Sequence, residues 1–170
     1  MKAKPQPVSL PVKTAAGAYI AHYSDKGLAE LDWPKAGRAD LLARPVAAHR
    51  LAAKIRGWQR LTEAALKNVL AGKPTGKLPP LDWSGKTEFQ KSVWRAMLKI
   101  SSGKTRSYGE IAAAIGNPKA VRAVGGACGA NPIPVIVPCH RVLAANKKIG
   151  GFSGGLERKR SLLKGEGIEL

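Results

Sequence analysis

Cys139 lies between Pro138 and His140, and this short segment is the strongest candidate in the chain for covalent chemistry. A cysteine attacks as its thiolate, a form that a neighbouring base or cation favours. Adjacent side chains on an extended segment point apart, so a water molecule could carry the proton from Cys139 to His140. A carboxylate near the C-terminus, Glu166 or Glu169, could orient the imidazole. The pattern alone equally allows a buried inert cysteine beside a hydrogen-bonded histidine, the commoner meaning of an isolated Cys-His pair.

The glycine-rich segment Gly150-Gly151-Phe152-Ser153-Gly154-Gly155 is a second candidate for a functional site. It lacks the Gly-Lys-Ser/Thr ending of a phosphate-binding loop, so nucleotide hydrolysis is a poor interpretation. Phe152 could instead offer a stacking face, and Ser153 a hydroxyl, in a flexible wall over a pocket. A plain surface turn is the competing interpretation.

The overall charge indicates a polyanionic partner. The 170 residues include 29 Lys and Arg against 11 Asp and Glu, a net charge of +18, and 44% of the residues are hydrophobic. This composition supports a packed core in one domain or in two small lobes that share a core. A surplus of positive charge attracts phosphates, so nucleic acid is the first expectation, an anionic membrane surface the second, and a merely solvated basic surface the third.

Membrane insertion, export and metal binding are not expected. No stretch approaches the about 18 apolar residues of a membrane helix, and the basic start Met1–Lys4 is followed by prolines rather than by an apolar run. A cytoplasmic protein is therefore predicted. Cys128 and Cys139 are the only cysteines, and neither belongs to a CxxC pair or a nearby Cys/His set. This spacing argues against a zinc site and against a disulfide framework.

The elements that must position these residues are predicted in two halves. In the first half, three strands are predicted at Val8–Thr14, Ala18–Tyr23 and Leu28–Trp33. Two helical stretches interrupted at Arg44-Pro45 follow, the second over about Trp58–Leu70. A Gly/Pro/Lys-rich stretch ending in Leu78-Pro79-Pro80-Leu81 is predicted as an extended linker, which places a lobe boundary near residue 85.

The second half is predicted to be mainly helical. The segments Thr87-Glu88-Phe89-Gln90 and Ser107-Tyr108-Gly109-Glu110 are capping boxes, each starting a helix. The second of these helices ends at Gly116, and Asn117-Pro118 is expected to cap another helix over about Lys119–Cys128. Two short helices joined by such a turn make a helix-turn-helix pattern, although many small helical proteins show it without binding DNA.

The helix predicted over Lys119–Cys128 has almost no side chain that could read base edges. Its Ala and Gly residues could let the backbone approach DNA closely, leaving Arg122 to insert into the base stack, or they could reflect tight packing inside the protein. The positive charge favours sequence-independent DNA binding. After Asn131 three prolines and four apolar residues predict a buried extended segment that delivers Cys139, and Leu156–Gly165 is predicted as a closing helix with a basic exposed face.

The motifs together resemble the O6-alkylguanine-DNA alkyltransferases. The resemblance is strong over residues 86–167 and loose, through the three strands alone, before them. The segments in family order and spacing are Thr87-Glu88-Phe89-Gln90 with Val93-Trp94, Ser107-Tyr108-Gly109, Arg122-Ala123-Val124-Gly125, Asn131-Pro132, Pro138-Cys139-His140-Arg141-Val142 and Ser153-Gly154-Gly155-Leu156. Ser102 departs from a common proline, with little effect expected, and Lys147-Lys148 replace a more usual acidic or glycine-containing turn.

The resemblance implies an α/β (α+β) fold, with a ribonuclease H-like lobe over residues 1–85 and a DNA-binding and alkyl-acceptor domain over residues 86–170. It implies that Cys139 is the permanent alkyl acceptor, that His140 is its base through a water, and that Glu166 orients His140 with support from Asn131. The implied substrate-binding residues are Tyr108, Ser153, Val142 and Phe152. The implied DNA-binding residues are Arg122, Ala120, Ala123, Gly125 and Ser107.

The reaction implied by the resemblance is repair of double-stranded DNA that contains alkylated guanine. The damaged O6-alkylguanine, or O4-alkylthymine, would be flipped out of the duplex and would pass its alkyl group to Cys139 once, with no cofactor or metal and with the protein acting as a monomer. Two alternatives stay open at this point: a non-catalytic lesion-binding or regulatory DNA-binding protein, and a thiol hydrolase that uses Cys139 and His140.

Overall fold

The computed structural model describes residues 7–35 and 52–170 of the chain. The basic N-terminal residues Met1–Lys4 and the first predicted helical stretch, with its interruption at Arg44-Pro45, lie outside the described residues. The described part is a mixed α+β fold, as the sequence predicts.

The N-terminal half is built on a three-stranded antiparallel sheet. Its strands, in spatial order, are β1 Val8–Thr14, β2 Gly17–Tyr23 and β3 Leu28–Asp32. Inward-facing residues alternate along β1, where Leu10 and Val12 are buried, as a half-buried sheet requires. All three predicted strands are confirmed to within one residue at each end. β3 stops at Asp32, one residue early, because Pro34 has no N–H to continue the ladder.

Helix α1, Ala52–Leu70, covers one face of this sheet. Its buried residues recur at helical spacing: Ile55, Trp58, Thr62, Ala65, Leu66 and Val69. Tyr23 on β2 donates a hydrogen bond to Thr62 Oγ1 at 2.9 Å, and Thr62 donates to the Trp58 carbonyl at 2.9 Å. The predicted start near Trp58 is too late, because Ile55 extends the same apolar stripe by a further turn.

The extended linker after α1 pairs with strand β3 of the sheet. Leu28 N–H donates to the Pro80 carbonyl at 2.8 Å, and Asp82 N–H donates to the Leu28 carbonyl at 2.8 Å. Two further bonds join the halves: Leu31 N–H to the Pro132 carbonyl at 2.9 Å and Ser102 Oγ to the Gly72 carbonyl at 2.8 Å. One continuous hydrophobic core therefore serves both halves, and the lobe boundary near residue 85 stays a prediction.

The C-terminal half is mainly helical. Its helices are α2 Glu88–Leu98, α3 Tyr108–Ala114, α4 Val121–Gly129 and α5 Leu156–Gly165. Both predicted capping boxes are confirmed, with Gln90 N–H donating to Thr87 Oγ1 and Glu110 N–H donating to Ser107 Oγ, each at 3.1 Å. The bounds predicted for α5 are also correct.

The predicted start of α4 is wrong. Asn117-Pro118 does not cap this helix, which begins at Val121 after an N-cap, Ala120, that makes no side-chain hydrogen bond. Ala120 N–H instead donates to the Asn117 carbonyl at 3.0 Å, so Pro118 lies inside a separate turn. The connection between α3 and α4 is therefore longer than the sequence suggested.

Cys139 is delivered by a buried turn and a short helix, which corrects the expectation of an extended segment. Ile133, Val135, Ile136 and Val137 are fully buried, as predicted. Cys139–Arg141 forms a 3₁₀ helix, with Arg141 N–H donating to the Pro138 carbonyl at 3.0 Å. Pro138 lacks an N–H but its carbonyl is free to start a helical turn.

A two-stranded parallel ladder follows that the sequence did not predict. Strand β5, Val142–Leu143, pairs with β4, Arg106–Ser107, directly before α3. Elements of two residues carry too little periodicity to be recognised in a sequence. The ladder places the residue after the 3₁₀ helix beside the start of α3.

Within the described residues, no helix is long and apolar enough to cross a membrane.

Candidate active site around Cys139

Cys139 lies at the wall of a small cavity and is 5% exposed. The cavity has a volume of about 190 Å³. It is lined by Tyr108, Gly125, Cys128, Gly129, Cys139, Gly151, Phe152 and Ser153. Burial raises the pKa of the Cys139 thiol, while a hydrogen bond with Asn131 and the positive charge of Lys159 act in the opposite direction. Burial thus keeps the thiol neutral, beside groups that stabilise its anion.

His140 is fully buried and is held by one carboxylate. Its Nε2 lies 3.0 Å from Glu166 Oε1. Burial lowers the pKa of His140, although the bond to Glu166 acts in the opposite direction, so the imidazole is neutral near pH 7. Because an ionised carboxylate only accepts hydrogen bonds, Nε2 carries the proton and Nδ1 has the free lone pair. That buried Nδ1 makes no hydrogen bond within the described residues, and it can therefore accept a proton.

Glu166 is the acid that meets His140, whereas the other candidate, Glu169, is exposed. Arg141 also binds Glu166, through Nε at 3.0 Å and Nη2 at 2.8 Å. Burial alone would raise the pKa of Glu166, but the hydrogen bonds from His140 and Arg141 outweigh it and lower the pKa to about 2. Glu166 is therefore a fixed anion that holds the imidazole in one orientation and one tautomer.

Arg141 was not assigned a role from the sequence. Its Nη1 donates to the Ile100 carbonyl at 2.6 Å, and its side chain is buried. The signal was present: an arginine that follows a buried apolar segment requires an internal partner, because a lone buried charge is very costly.

Asn131 shapes the backbone that leads to Cys139. Its Nδ2 donates to the Val137 carbonyl at 2.8 Å, and its Oδ1 accepts from Ile133 N–H at 3.0 Å. Both bonds close the turn between α4 and the 3₁₀ helix, where Val135 has a φ of 71°. Asn131 therefore joins the predicted site both through this turn and through its hydrogen bond with the thiol.

Three of the four predicted substrate-binding residues line the cavity. Tyr108, at the start of α3, is half-buried, and burial raises its pKa, so the phenol keeps its proton. Phe152 and Ser153, on the glycine-rich loop, also line the cavity. Val142 is buried in β5 and is not part of the wall; its carbonyl accepts a hydrogen bond from Lys159 Nζ at 2.7 Å.

Lys159 is a buried cation that the sequence reasoning missed. The exposed face of α5 was expected to be rich in Lys and Arg, but Lys159 is 0% exposed and also donates to the Gly151 carbonyl at 3.3 Å. Burial lowers its pKa to about 8, and Cys139 and Cys128, in their ionised forms, act in the opposite direction. The overlooked signal is helical spacing, since Lys159 shares a face with the buried Leu162 and Leu163.

The predicted DNA-binding residues lie together at α3 and α4, beside the cavity. Arg122 and Ala123 are exposed, and Ala120 and Gly125 are half-buried. The fifth, Ser107, is the N-cap of α3. A Cβ atom built on Gly125 or on Gly126 would meet nothing within 4 Å. Packing inside the protein therefore does not require these two glycines. This weakens the alternative that α4 has small side chains because it packs tightly inside the protein.

Comparisons with known proteins point to one family. Residues 88–168 match the family model described as the DNA binding domain of 6-O-methylguanine DNA methyltransferase. The methylated-DNA–protein-cysteine methyltransferase of Methanosarcina acetivorans is 63% identical over 81 residues, which are 48% of this chain and 52% of that protein. The chain thus spans about half the length of the curated relatives that it matches.

Solved structures match over nearly the whole chain. The crystal structure of Mycobacterium tuberculosis O6-methylguanine methyltransferase is 35% identical, with a TM-score of 0.70, covering 95% of this chain and 93% of that one. A structure of Mycobacterium tuberculosis OGT in complex with DNA is 36% identical, with a TM-score of 0.67, covering 93% and 91%. The similarity therefore includes the N-terminal sheet, for which the sequence resemblance was loose.

Replacing Glu166 by Gln should destabilise the fold in a pH-dependent way. The pKa of about 2 lies below the ordinary 4.5, so the stabilisation is present above pH 4.5 and is lost as the pH falls toward 2. Urea unfolding at pH 7 should show a loss of roughly 3 kcal/mol, and at pH 3 the difference from the parent protein should be roughly half as large. Glu169→Gln, at an exposed site, is the control. An equal loss in both variants, or a difference that does not shrink at pH 3, would contradict this account.

Replacing Lys159 by Met should raise the pKa of Cys139, because the nearest stabilising cation is removed. The rate at which iodoacetamide labels Cys139 at pH 7 should fall by about tenfold for each unit of that rise. Peptide mapping separates Cys139 from Cys128. Lys164→Met, on the exposed side of the same helix, should leave the dependence of the Cys139 labelling rate on pH unchanged. An unchanged profile for Lys159→Met would show that this cation does not act on the thiol.

Proposed function

The chain belongs to the 6-O-methylguanine DNA methyltransferase family, and from that membership we propose that it repairs DNA by transferring the alkyl group of an O6-alkylguanine to Cys139. The observation that carries the proposal is that Cys139 lines a small cavity and is followed directly in the chain by a buried, neutral His140 whose imidazole is oriented by a carboxylate. A cavity of about 190 Å³ suits one extruded base better than a peptide.

The proposed reaction begins with removal of the thiol proton. His140 Nδ1 accepts it through a water molecule, and Glu166 stabilises the imidazolium that forms. The Cys139 thiolate then attacks the alkyl carbon, so that the sulfur–carbon bond forms as the bond between that carbon and O6 breaks. The electron pair leaves with O6, and the guanine ring takes up one proton in return. Sulfur has become a thioether, and the base has been restored.

Tyr108 and Ser153 are proposed to hydrogen-bond the guanine and so favour departure of its oxygen. Tyr108 suits this role because burial keeps it protonated, and a neutral phenol donates a hydrogen bond to developing negative charge. Ser153, on the glycine-rich loop, lines the same cavity. A thymine alkylated at O4 presents the same kind of leaving oxygen, and we include it as a second substrate.

The protein is proposed to act once per molecule. A thioether carbon is a poor electrophile toward water, and no group at the cavity offers a route back to the thiol. The stoichiometry is therefore one alkyl group for each monomer, with the protein consumed as a reagent.

DNA binding is assigned to α3 and α4. The target atom lies inside the duplex, so the nucleotide must be extruded at a cost of a few kcal/mol, which is lower for a badly paired lesion. Arg122 is exposed and is proposed to fill the gap that the base leaves. The open space around Gly125 and Gly126 suits close approach to a groove, and the net charge of +18 provides affinity for phosphates regardless of sequence.

The transfer itself is tested by mixing the protein with a duplex that contains one O6-methylguanine. Intact-mass spectrometry should show a gain of one methyl group per protein, and peptide mapping should place it on Cys139 rather than Cys128. An undamaged duplex of the same sequence is the control. Cys139→Ala should bind the damaged duplex without any mass gain. Binding without a mass gain in the parent protein would instead favour the non-catalytic lesion-binding alternative.

Replacing Arg122 by Ala should slow the transfer from duplex DNA but not from the free base O6-benzylguanine, which requires no extrusion. We expect at least an about tenfold loss with the duplex, since the cost of unstacking is no longer offset. Arg160→Ala, an exposed arginine on α5, controls for the loss of one positive charge. An equal loss with both substrates would indicate that Arg122 supports the fold rather than base extrusion.

A further inference from the structure

We propose that Trp33 of the N-terminal half is a positioning residue for the cavity, acting through the loop that carries Phe152 and Ser153. The inference rests on the proposed function, because these two loop residues matter as walls of a guanine pocket. Trp33 itself does not line the cavity around Cys139. From the sequence it was assigned only to the end of a strand.

Trp33 is firmly held by its own half of the molecule. It directly follows β3, and its ring packs against Tyr19 with centroids 5.8 Å apart. β3 is tied in turn to the turn before Cys139 by the bond from Leu31 N–H to the Pro132 carbonyl, at 2.9 Å. The indole therefore has a fixed position relative to the backbone that delivers Cys139.

The same ring contacts the glycine-rich loop on its other side. Phe152 packs edge-on against Trp33, with centroids 5.6 Å apart and an interplanar angle of 73°. The Arg158 guanidinium lies 5.2 Å from the Trp33 ring centre, and its Nη1 donates to the Gly154 carbonyl at 3.3 Å. An edge-on aromatic pair and a cation over a ring are both attractive geometries.

Gly154 shows how closely the loop approaches Trp33. A Cβ atom at this position would lie 2.6 Å from Trp33 Cζ2 and 2.8 Å from Phe152 Cε1, closer than carbon atoms can pack. Ser153 stands between Phe152 and Gly154, and Trp33 is close to both of these neighbours. The backbone position of Ser153 is therefore set largely by a residue of the other half of the chain.

The loop needs such support because it lies outside the helices and strands. Other restraints on the loop include the bond from Lys159 Nζ to the Gly151 carbonyl, at 3.3 Å, and a turn closed by Gly155 N–H donating to the Phe152 carbonyl at 3.1 Å. Lys159 Nζ also lies 5.9 Å from the Phe152 ring centre. Trp33 and Ser153 also both line a groove of about 520 Å³ between the two halves. If Trp33 were removed, the loop could shift toward this groove, which would widen the cavity and expose Cys139.

The test compares Trp33→Ala with Trp33→Phe in two assays. In single-turnover alkyl transfer from free O6-benzylguanine, Trp33→Ala should raise the substrate concentration that gives half of the limiting rate by about two- to tenfold, with the limiting rate nearly unchanged. The iodoacetamide labelling rate of Cys139, which requires no guanine recognition, should rise by a similar factor. Trp33→Phe keeps an aromatic ring against Phe152 and should largely restore both values.

Trp83→Ala is the matched control, since Trp83 is also half-buried but packs against Trp94, with centroids 5.4 Å apart, and does not line the cavity. It should change neither assay. Adding Trp33→Ala to a Phe152→Ala variant should have a smaller effect than in the parent protein, because one of the contacts through which Trp33 acts is already gone.

Two results would overturn the inference: labelling of Cys139 that is the same in Trp33→Ala as in the parent protein, or equal changes in Trp33→Ala and Trp83→Ala. If the parent protein transfers no alkyl group at all, the proposed function fails, and the labelling assay still decides whether Trp33 holds the loop over the cavity.

Discussion

The buried carboxylate of Glu166 is the interaction on which the rest of the site depends. It accepts hydrogen bonds from His140 and Arg141, which are adjacent in the chain, and also from Gly103 N–H at 3.2 Å. The side chain of Glu166, at the end of α5, thus joins α5 to two other parts of the chain. Ion pairs that are removed from water gain little net stability, since the cost of desolvation nearly cancels their attraction. The Glu166 carboxylate matters mainly for what it holds in place. It holds the C-terminal end of α5 against the 3₁₀ helix that carries Cys139, and it keeps His140 in one tautomer. Without that anion, Nδ1 would have no defined role as a base.

The cavity has to meet two opposing requirements. A thiol that waits for a rare substrate is protected by burial, and burial raises its pKa. A thiol that attacks carbon must lose its proton, which requires positive charge or hydrogen-bond donors nearby. Asn131 and Lys159 supply these, and Lys159 tolerates its own burial because two backbone carbonyls accept hydrogen bonds from its ammonium group. The second thiol, Cys128, has its pKa raised to about 12, first by burial, and so stays protonated.

Features that depend on neighbouring residues were predictable from the sequence, and those that depend on distant contacts were not. The strands, the capping boxes and the bounds of α5 follow from periodicity and from residue types three or four positions apart. Glu166 was named as one of two candidates, and only the tertiary structure brings it, rather than Glu169, to His140. Lys159 was missed because charged residues on a helix are usually exposed, and Trp33 because its partner Phe152 is more than a hundred positions away. The start that the sequence predicted for α4 was wrong because Asn117-Pro118 suits a turn as well as a helix cap.

The charge and the cavity divide the work of recognition between them. A surplus of +18 attracts any DNA, since phosphate contacts carry no sequence information. The exposed part of α4 offers Arg122 and open glycines but no side chain that distinguishes base pairs, so the helix can slide past undamaged sequence with little penalty. In the proposed function, discrimination is left to the cavity, which a base enters only after it has left the stack. Because a mispaired base leaves more readily, lesions are selected in part by the weakness of their own pairing. On that proposal, the protein has to hold the cavity walls in place more than it has to read the groove, and the contacts of Trp33 with Phe152 and Gly154 provide such support for the loop around Ser153.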